Sequence, residues 1–458
     1  MSRAQPATVV ALSTPAGMGG IAVVRLSGPM ARKVAVRLTG VPPDRLKPRY
    51  ALFSPLRDPG GEDIDRGIVT FFQAPHSYTG EDVLEISSHG GMVIPSRIID
   101  ACLAYGCVPA QPGEFTRRAF LNGKMDLSQA EAVADVIAAR TALSQKVSYR
   151  ILSGRLSRLI HKLKRDLLHV VSIVEAELDF ADDLPPTSPS RLADWIGGVH
   201  STVRTLLATY NTGRLLKEGA VVSIIGRPNV GKSSLLNAII SENRVIVTDR
   251  PGTTRDAVEV TYQIDGFPVR FVDTAGLRET ADPVESRGIE FSHKFIHRSD
   301  LVLWVFEATD TPATVRRTVS TPFFKAPFLV VINKADLMNP PGPPPWKIPL
   351  PPDHAGPFLV SALKESGIPR LVDRIRDTLF ASGFTNGDVI LTSARHKEAL
   401  SHCASALRRA MDLLDRNGET DLVAFELREA LAHLDAILGV TTADDILNNI
   451  FATFCIGK

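Results

Sequence analysis

The chain has 458 residues, of which 44% are apolar, and a formal net charge of +2. This length predicts about three domains, and the near-neutral charge argues against a nucleic-acid coat over the whole surface while leaving a local basic face open. No apolar run approaches the roughly 18 residues of a spanning helix, and Met1–Pro6 is not the apolar segment of a signal peptide, so we expect a cytoplasmic protein.

Residues 1–118 have the pattern of a mixed α/β domain. Short apolar stretches such as Ile21–Leu26 and Asp82–Ile86 are bounded by clusters of Gly, Pro and Ser, which is typical of strands joined by turns. Gly17–Gly20 matches the GXXG backbone clamp of KH domains, but it precedes a strand-like run and does not join two helices. We therefore do not predict RNA binding from it.

The hydrophobic period changes in residues 119–218. Apolar residues recur every three or four positions from Leu127 to Leu178 and again over about 191–217, which predicts long amphipathic helices. Four cations in the first stretch are spaced to share one helix face. They are Arg155, Arg158, Lys162 and Arg165. This face either binds phosphate groups or is merely solvated, and we favour the second interpretation because Lys and Arg commonly occupy exposed helix sides.

An apolar run, Ala220–Ile225, leads into a glycine-rich segment, Gly226–Ser234, and then into another apolar run. This pattern predicts a strand, a loop and a helix with the sequence G-x-x-x-x-G-K-S, whose backbone N–H groups wrap around phosphates. Lys232 is predicted to contact the β and γ oxygens, and the Ser233 hydroxyl to bind Mg²⁺. The predicted nucleotide contacts are Asn229, Val230, Gly231, Lys232, Ser233 and Ser234.

Two further segments complete a triphosphate site of the GTPase type. Thr248–Asp256 is predicted to be a first switch, in which Thr254 joins Ser233 as a ligand of Mg²⁺. A predicted strand ends at Asp273, which can hold Mg²⁺ through water, and the N–H of the following glycine can reach the γ-phosphate. The predicted contacts are Thr248, Asp249, Arg250, Pro251, Gly252, Thr253, Thr254, Asp273, Thr274, Ala275 and Gly276.

Leu277 follows this motif where signalling GTPases carry a glutamine that orients the attacking water. Leucine cannot do so, and hydrolysis then needs another polar group of the second switch. The candidates are Arg278, Glu279, Asp282 and Glu285. The amide oxygen of Asn229 either ligates a monovalent cation beside the phosphates, in the role of an arginine finger, or caps the loop. The presence of Asn229 alone favours neither the cation-ligand interpretation nor the loop-cap interpretation.

Another apolar strand, Phe328–Ile332, leads to the segment Asn333–Asp336. A fixed Asp336 carboxylate accepts two parallel hydrogen bonds, from the guanine ring N–H and its exocyclic amine, whereas adenine leaves it partly unpaired. The sequence therefore predicts GTP as the nucleotide. The predicted contacts around the base are Asn333, Lys334, Ala335, Asp336, Ser361, Ala362 and Leu363. The proline-rich segment that follows, Asn339–Trp346, is interpreted as a surface loop, with a polyproline ligand for a partner as the less favoured alternative.

Helical periodicity resumes from about residue 394 to 454, so a nucleotide-binding domain is predicted to be inserted in a helical domain. The predicted boundaries are 1–118 for the N-terminal domain, 119–218 and 381–458 for the two parts of the helical domain, and 219–380 for the nucleotide-binding domain.

The four cysteines are too few and too scattered for a disulfide framework or a C-x-x-C metal pair. They are Cys102, Cys107, Cys403 and Cys455. Cys455–Lys458 does not fit a prenylation signal, because glycine and lysine follow Ile456. A cysteine between Phe454 and Ile456 is most simply a buried, small apolar residue.

Together these motifs resemble the MnmE family, also called TrmE, the GTPases of bacterial and organellar wobble-uridine modification. The resemblance covers the whole chain and is most specific where Cys455–Lys458 occurs together with an inserted nucleotide-binding domain. It is carried by Phe115–Leu127, the phosphate loop with Asn229, Thr248–Asp256, Asp273–Arg278, Asn333–Asp336 and Phe454–Lys458. It implies a multidomain α+β and α/β fold, with an N-terminal α/β folate-binding domain, a discontinuous α-helical domain and an inserted Ras-like P-loop GTPase domain.

The resemblance also implies roles for individual residues. The implied K⁺ ligands are Asn229, Thr248, Arg250 and Thr253. The implied contacts of a tetrahydrofolate derivative, 5-formyl- or methylene-tetrahydrofolate, are Arg25, Glu85, Lys124 and Lys458. Glu285 is implied to orient the attacking water through an intermediate solvent molecule. Cys455 is implied to be functionally important, which reverses its interpretation as a buried thiol.

The implied reaction adds an aminomethyl or carboxymethylaminomethyl group to C5 of the wobble uridine in tRNA. The chain is implied to be a homodimer that forms a heterotetramer with the flavin-dependent MnmG (GidA) subunit, which uses FAD and NADH. Arg250 departs from the apolar residue common at its position, but the implied K⁺ ligand there is a backbone carbonyl. The alternative is a ribosome-assembly GTPase, an RNA-binding checkpoint; such proteins carry a KH-like domain or tandem GTPase domains, and this sequence has neither pattern.

Overall fold

The structure, a computed structural model, describes residues 7–180, 182, 187–242, 245–248, 261–273, 298–320, 324–338, 355–380, 389–416, 419–441 and 444–458. The chain divides into two compact units, which are described in turn. The first comprises residues 1–134, 151–184 and 424–458, and the second comprises residues 135–150 and 185–423. In the described ranges, no helix is both long enough and apolar enough to cross a membrane.

A six-stranded sheet forms the N-terminal part of the first unit. Its strands are β1 (Val9–Leu12), β2 (Ile21–Ser27), β3 (Ala51–Arg57), β4 (Asp63–Phe72), β5 (Val83–His89) and β6 (Val108–Pro109). They lie in the order β3-β4-β5-β2-β1-β6. All neighbours are antiparallel except β1 and β6, which are parallel.

One face of this sheet is covered by the helices Ala31–Thr39 and Val93–Ala104. Successive strand residues point to opposite faces, and Leu26, Ile86 and Ile98 lie in the same buried cluster. The residues between the buried ones therefore point to the other face of the sheet.

Helices make up the rest of the first unit, and some of them lie only partly within it. They are Glu114–Leu121, Leu127–Ala138, Arg155–Asp179, Thr420–Leu438 and Asp444–Ala452. Lys164 pairs with Asp435 at 2.5 Å, and Arg428 pairs with Glu175 at 2.7 Å. These contacts join the helix Arg155–Asp179 to the helix Thr420–Leu438, which is 253 or more residues away along the chain.

A seven-stranded sheet forms the centre of the second unit. Its strands are β7 (Ala220–Ile225), β8 (Val245–Thr248), β9 (Thr261–Ile264), β10 (Phe267–Asp273), β11 (Leu301–Glu307), β12 (Phe328–Asn333) and β13 (Ala355–Leu359). Their order is β13-β12-β11-β7-β10-β9-β8. The first five run parallel, and the last two are antiparallel additions.

The central strands β11 and β12 are buried along nearly their whole length, as expected for parallel strands with both faces covered. The helices of the second unit are Ala142–Leu152, Pro189–Ala208, Tyr210–Glu218, Lys232–Ser241, Pro312–Val319, Ile368–Leu379 and Ala394–Asp415. Because carboxyl ends of parallel strands meet at one edge, the ends of β7, β10, β11 and β12 lie at the same edge.

The predicted fold class, a multidomain α+β and α/β chain, is confirmed. The apolar stretch from Leu127 to Leu178 forms three helices, which are interrupted near Thr141 and at Ser153 and Gly154. At the first interruption, the Thr141 hydroxyl accepts a hydrogen bond from the Ser144 N–H at 3.1 Å, which is the geometry of a helix N-terminal cap. The helical segments are divided between the two compact units. The predicted domain boundaries remain predictions.

Candidate functional site

The phosphate loop joins β7 to the helix Lys232–Ser241, as the sequence predicts. Gly231 precedes this helix with a φ of +86°, and a Cβ added there would lie 2.4 Å from Nδ2 of Asn333. Both the positive φ and the close approach require glycine. Asn229 also has a positive φ, +64°, a conformation that asparagine tolerates better than most residues.

Lys232 is folded over the loop that precedes it. Its ammonium group donates hydrogen bonds to the carbonyl of Gly226 at 3.0 Å and to that of Arg227 at 2.9 Å. The residue is only 7% exposed. The positive charge of Lys232 is therefore held beside the loop backbone, where the β and γ oxygens of a triphosphate are predicted to bind.

Asn333 is the side chain that connects the nucleotide loops. It is 1% exposed, and its Nδ2 donates to the carbonyls of Val230 at 3.0 Å and Gly231 at 3.2 Å. Its Oδ1 accepts a hydrogen bond from the Ala362 N–H at 3.1 Å. One buried amide thus holds the phosphate loop and the loop after β13 in register, since a buried amide that lost these partners would be destabilising.

Asp336 has the geometry expected of a base-recognising carboxylate. Ser361 donates a hydrogen bond to Oδ1 of Asp336 at 2.5 Å, and the Lys364 N–H donates to the Ser361 hydroxyl at 3.2 Å. This hydrogen bond from Ser361 holds the pKa of the Asp336 carboxyl below its ordinary value. The carboxylate is therefore ionised at neutral pH and oriented, with hydrogen-bond acceptor sites left for a ligand.

The neighbouring loops are held by charged contacts. Lys334 has a φ of +61°, and its ammonium pairs with Glu307 at 3.0 Å. Arg227 of the phosphate loop pairs with Asp310, whose other oxygen accepts from the Glu307 N–H at 2.9 Å. These contacts join the ends of β7, β11 and β12 at one edge of the sheet.

Several predicted site residues lie outside the described part of the chain. They are Asp249, Arg250, Pro251, Gly252, Thr253, Thr254, Thr274, Ala275, Gly276, Leu277, Arg278, Glu279, Asp282 and Glu285. Of the adjoining positions, Thr248 is the last residue of β8, where it pairs with Thr261. Asp273 is the last residue of β10 and lies beside Ile224 of β7. The backbone of Asp273 is thereby placed next to the strand that enters the phosphate loop.

A second group of predicted residues meets in the first unit, on the sheet face opposite its two helices. Arg25 of β2 lies directly across from Glu85 of β5, and Arg25 Nε donates to Oε1 of Glu85 at 2.9 Å. Arg25 also donates to the carbonyl of Gly457 at 3.4 Å, and the Ser13 hydroxyl donates to the same carbonyl at 3.0 Å. The segment Cys455–Lys458 is therefore seated on the N-terminal sheet.

Lys458 is held in this group by its main chain. Its carbonyl accepts a hydrogen bond from the Phe115 N–H at 3.2 Å. Burial and the nearby Arg25 guanidinium lower the pKa of the Lys458 amine. Gly457 has a φ of +93°, and a Cβ there would lie 2.2 Å from the carbonyl oxygen of Leu12, so this turn requires glycine.

Aromatic side chains line the same group. The Arg25 guanidinium lies 5.7 Å from the ring centres of both Tyr78 and Phe115, within the range of a cation–π contact. Lys124, the fourth predicted folate contact, donates to the carbonyl of Pro75 at 3.1 Å, in the loop that carries Tyr78. The structure thus brings Arg25, Glu85 and Lys458 together and places Lys124 on an adjoining loop.

The interpretation of Cys455 as a buried apolar residue was wrong, because the residue is exposed. The preceding helix ends at Ala452, so its pattern of buried residues does not extend to the cysteine. The other cysteines are buried, and burial raises the pKa of Cys107 to about 11 and that of Cys403 to about 12. Cys455 is the accessible thiol of the described chain.

Sequence reasoning missed several contacts that complete these two sites. Tyr78 lies in a segment rich in Ser, Thr and Gly, and Ser13 lies in a loop, so neither gave a periodic signal. Phe115 begins a recognised segment, but its contact with Lys458 spans most of the chain. The pair of Arg227 with Asp310 depends on which strands are neighbours, and this is a property of the sheet order.

The comparisons with known proteins show the family to which this chain belongs. The profile of the MnmE helical domain matches residues 127–455, and that of the GTP-binding protein TrmE N-terminus matches residues 8–124. The tRNA modification GTPase MnmE of Akkermansia muciniphila is 41% identical over 456 residues, which cover 98% of this chain and 99% of that one. The protein of the same name from Aquifex aeolicus is 40% identical over 452 residues, with coverages of 98% and 99%.

Proposed function

This chain belongs to the MnmE family of tRNA modification GTPases, and we propose from this premise that it hydrolyses GTP in the modification of tRNA. The observation that carries the proposal is the set of contacts around Asn333, which ties the phosphate loop to the loop of Ser361. Ser361 in turn orients Asp336 for guanine. The phosphate-binding and base-binding halves of the site are thus a single hydrogen-bonded assembly.

The roles proposed for individual residues in hydrolysis combine this geometry with the resemblance to the family. Lys232 would bind the β and γ oxygens, and Ser233, next to it at the start of its helix, is the right residue type to ligate Mg²⁺ with Thr254 and, through water, Asp273. The divalent ion would neutralise charge that develops on the phosphates. Leu277 offers no group to orient water, so Glu285 is proposed for that task.

Potassium is proposed as a second cation, ligated by Asn229, Thr248, Arg250 and Thr253. Support comes from Asn229, whose left-handed backbone places a side-chain amide within the phosphate loop. A cation at this point would stabilise the charge of the transition state in the way that an arginine finger does. An Arg250 side chain that faced the ion would lower the affinity for K⁺, because like charges repel.

The rate of GTP hydrolysis tests this assignment. We expect faster turnover in K⁺ than in Na⁺ at equal ionic strength, and loss of that difference in Asn229→Ala. Glu285→Ala should lower kcat by about 10²-fold or more while nucleotide affinity is kept. Equal rates in the two salts would contradict the proposal that Asn229 ligates K⁺. Full activity of Glu285→Ala would contradict the proposal that Glu285 orients the attacking water.

A tetrahydrofolate derivative is the proposed ligand of the site around Arg25. The edge of a pterin ring carries hydrogen-bond donors and acceptors that pair with carboxylate and guanidinium groups, and Arg25 and Glu85 supply such groups side by side on one face of the sheet. Glu85, Lys124 and Lys458 are proposed to supply polar contacts to the ligand, and Cys455 is proposed to be a catalytic residue. The folate would carry the one-carbon unit for the modified uridine.

Two assembly states are proposed from the family. Phe53, 66% exposed, lies across from Ile68, 44% exposed, on neighbouring strands of the N-terminal sheet. This exposed apolar pair supports a homodimer that forms through the N-terminal domain. A heterotetramer with a flavin subunit that uses FAD and NADH is proposed from the resemblance. Light scattering of the chain alone and mixed with that subunit tests both states.

A further inference from the structure

The helix Arg155–Asp179 carries an exposed basic face on its first three turns. The four basic residues of this face are all exposed, and Leu156, Ile160 and Leu163, which lie between them in the sequence, are buried. The basic residues are Arg155, Arg158, Lys162 and Arg165. They extend over about 15 Å along the helix axis, at about 1.5 Å per residue.

Three of these cations, Arg158, Lys162 and Arg165, make few contacts within the fold. In the described part of the chain, Lys162 and Arg165 pair with no carboxylate, and Arg158 donates only to the carbonyl of Ser153, at 3.0 Å. By contrast, Lys164 and Arg428 of the same unit are engaged in ion pairs with Asp435 and Glu175. The guanidinium groups of Arg158 and Arg165 and the ammonium group of Lys162 therefore keep most of their hydrogen-bonding capacity for a ligand.

Helix stability does not account for the arrangement. The first turn of this helix has no acidic residue and the last turn has no basic one. The helix dipole favours the opposite order, with anions near the N-terminus and cations near the C-terminus. Of the acidic residues, only Asp166 lies among the cations, whereas Glu175, Glu177 and Asp179 follow the last buried valine. The helix is thus basic in its first half and acidic at its end.

We propose that this face, Arg158, Lys162 and Arg165 with Arg155, binds the sugar–phosphate backbone of tRNA. The inference rests on the proposed function, which makes tRNA the macromolecular substrate. A nucleic acid backbone presents phosphate charges at intervals of a few ångströms, and a row of exposed cations complements them without reading sequence. With a net charge of only +2 over the whole chain, attraction of a polyanion needs such a local row.

The test compares two variants with the same change of net charge. One is the triple variant Arg158→Gln, Lys162→Gln and Arg165→Gln. The control replaces three cations that are held in ion pairs, Arg57, Arg376 and Arg408, by Gln. The probe is a labelled tRNA transcript with uridine at the wobble position, bound to the full-length chain over a series of KCl concentrations.

We expect the triple variant to bind the transcript at least about ten-fold more weakly than the control variant. Its slope of log affinity against log salt should be smaller by about 2 to 3, since each lost phosphate contact lowers the slope by about 1. GTP turnover in the absence of tRNA should be the same in both variants. Equal binding by the triple and control variants would overturn the proposal while leaving the proposed function intact.

Two further outcomes are decisive. If the unmodified chain does not bind the transcript at all, both the proposal and the proposed function fail. If the triple variant loses binding only to vesicles of anionic phosphatidylglycerol and keeps tRNA binding, the face serves a lipid surface and the proposal is wrong. Acetylation of the unmodified protein gives an independent measurement: tRNA should protect the Lys162 amine and leave the exposed Lys33 unprotected.

Discussion

At the scale of single residues, two polar side chains define the nucleotide site. Asn333 uses both its amide hydrogens and its oxygen on backbone groups of two loops, and so it shapes the site without contacting the predicted base edge. Asp336 accepts a hydrogen bond from the Ser361 hydroxyl, and its carboxylate has further acceptor sites. The first residue is therefore structural, and the second is proposed to give the site its base specificity.

Replacing Asp336 by Asn tests this specificity. The Asn amide nitrogen donates a hydrogen bond where the carboxylate accepts one, so it opposes the guanine amine and suits the carbonyl of xanthine. We expect Asp336→Asn to lower GTP affinity by about 10²-fold or more and to raise XTP affinity, measured by displacement of a fluorescent nucleotide. Ser361→Ala, which keeps the carboxylate, serves as the control and should have a smaller effect. Unchanged GTP affinity in Asp336→Asn would show that this residue does not read the base.

Lys458 provides a prediction on pH. Its pKa in the folded chain is below the ordinary value of 10.5, so between the lowered pKa and 10.5 the unfolded chain holds more protons than the folded chain. The free energy of unfolding should therefore rise with pH across that window, and Lys458→Met should lack this rise. Urea unfolding of both proteins from about pH 8 to 10.5 measures the difference. A difference independent of pH would contradict the lowered pKa.

At the scale of secondary-structure elements, the sequence predicts what is local and misses what is distant. The strand, loop and helix around Gly226–Ser234 follow from a contiguous motif, and the structure confirms them. The interruption of the helical stretch near Thr141 escaped prediction because its cap is a weak local signal inside a continuing apolar period. The hydrogen bond from Arg25 to the Gly457 carbonyl could not be predicted from the sequence, because these residues are 432 positions apart.

The turn at Gly457 allows this seating to be tested. In Gly457→Ala, a Cβ 2.2 Å from the Leu12 carbonyl should displace Cys455–Lys458 and remove the hydrogen bond that protects the Phe115 N–H. Gly106→Ala is a matched control, because Gly106 has a similar φ of +95° and no atom within 4 Å of the added Cβ. We expect faster hydrogen exchange of the Phe115 amide and weaker binding of 5-formyltetrahydrofolate in Gly457→Ala only. Equal exchange in both variants would mean that the tail is not held by this turn.

At the scale of the whole molecule, two sites of different chemistry lie in two compact units. The unit of residues 135–150 and 185–423 contains the triphosphate loop and Asp336. The other contains Arg25, Glu85, Lys458 and an accessible thiol at Cys455. Neither Lys232 nor Asp336 is a group that could transfer carbon to uridine. Hydrolysis of GTP is therefore proposed to drive conformational change, with synthesis at the folate site.

The nucleoside content of tRNA tests this account most directly. In a strain that lacks the gene for this chain, complemented with the unmodified protein, with Lys232→Ala or with an empty vector, C5-modified wobble uridine is measured by mass spectrometry of digested tRNA. We predict the modified nucleoside only with the unmodified protein, because Lys232→Ala removes the charge that holds the phosphates. Normal levels of the modified nucleoside with the empty vector would contradict the assignment to tRNA modification, and normal levels with Lys232→Ala would contradict the requirement for GTP.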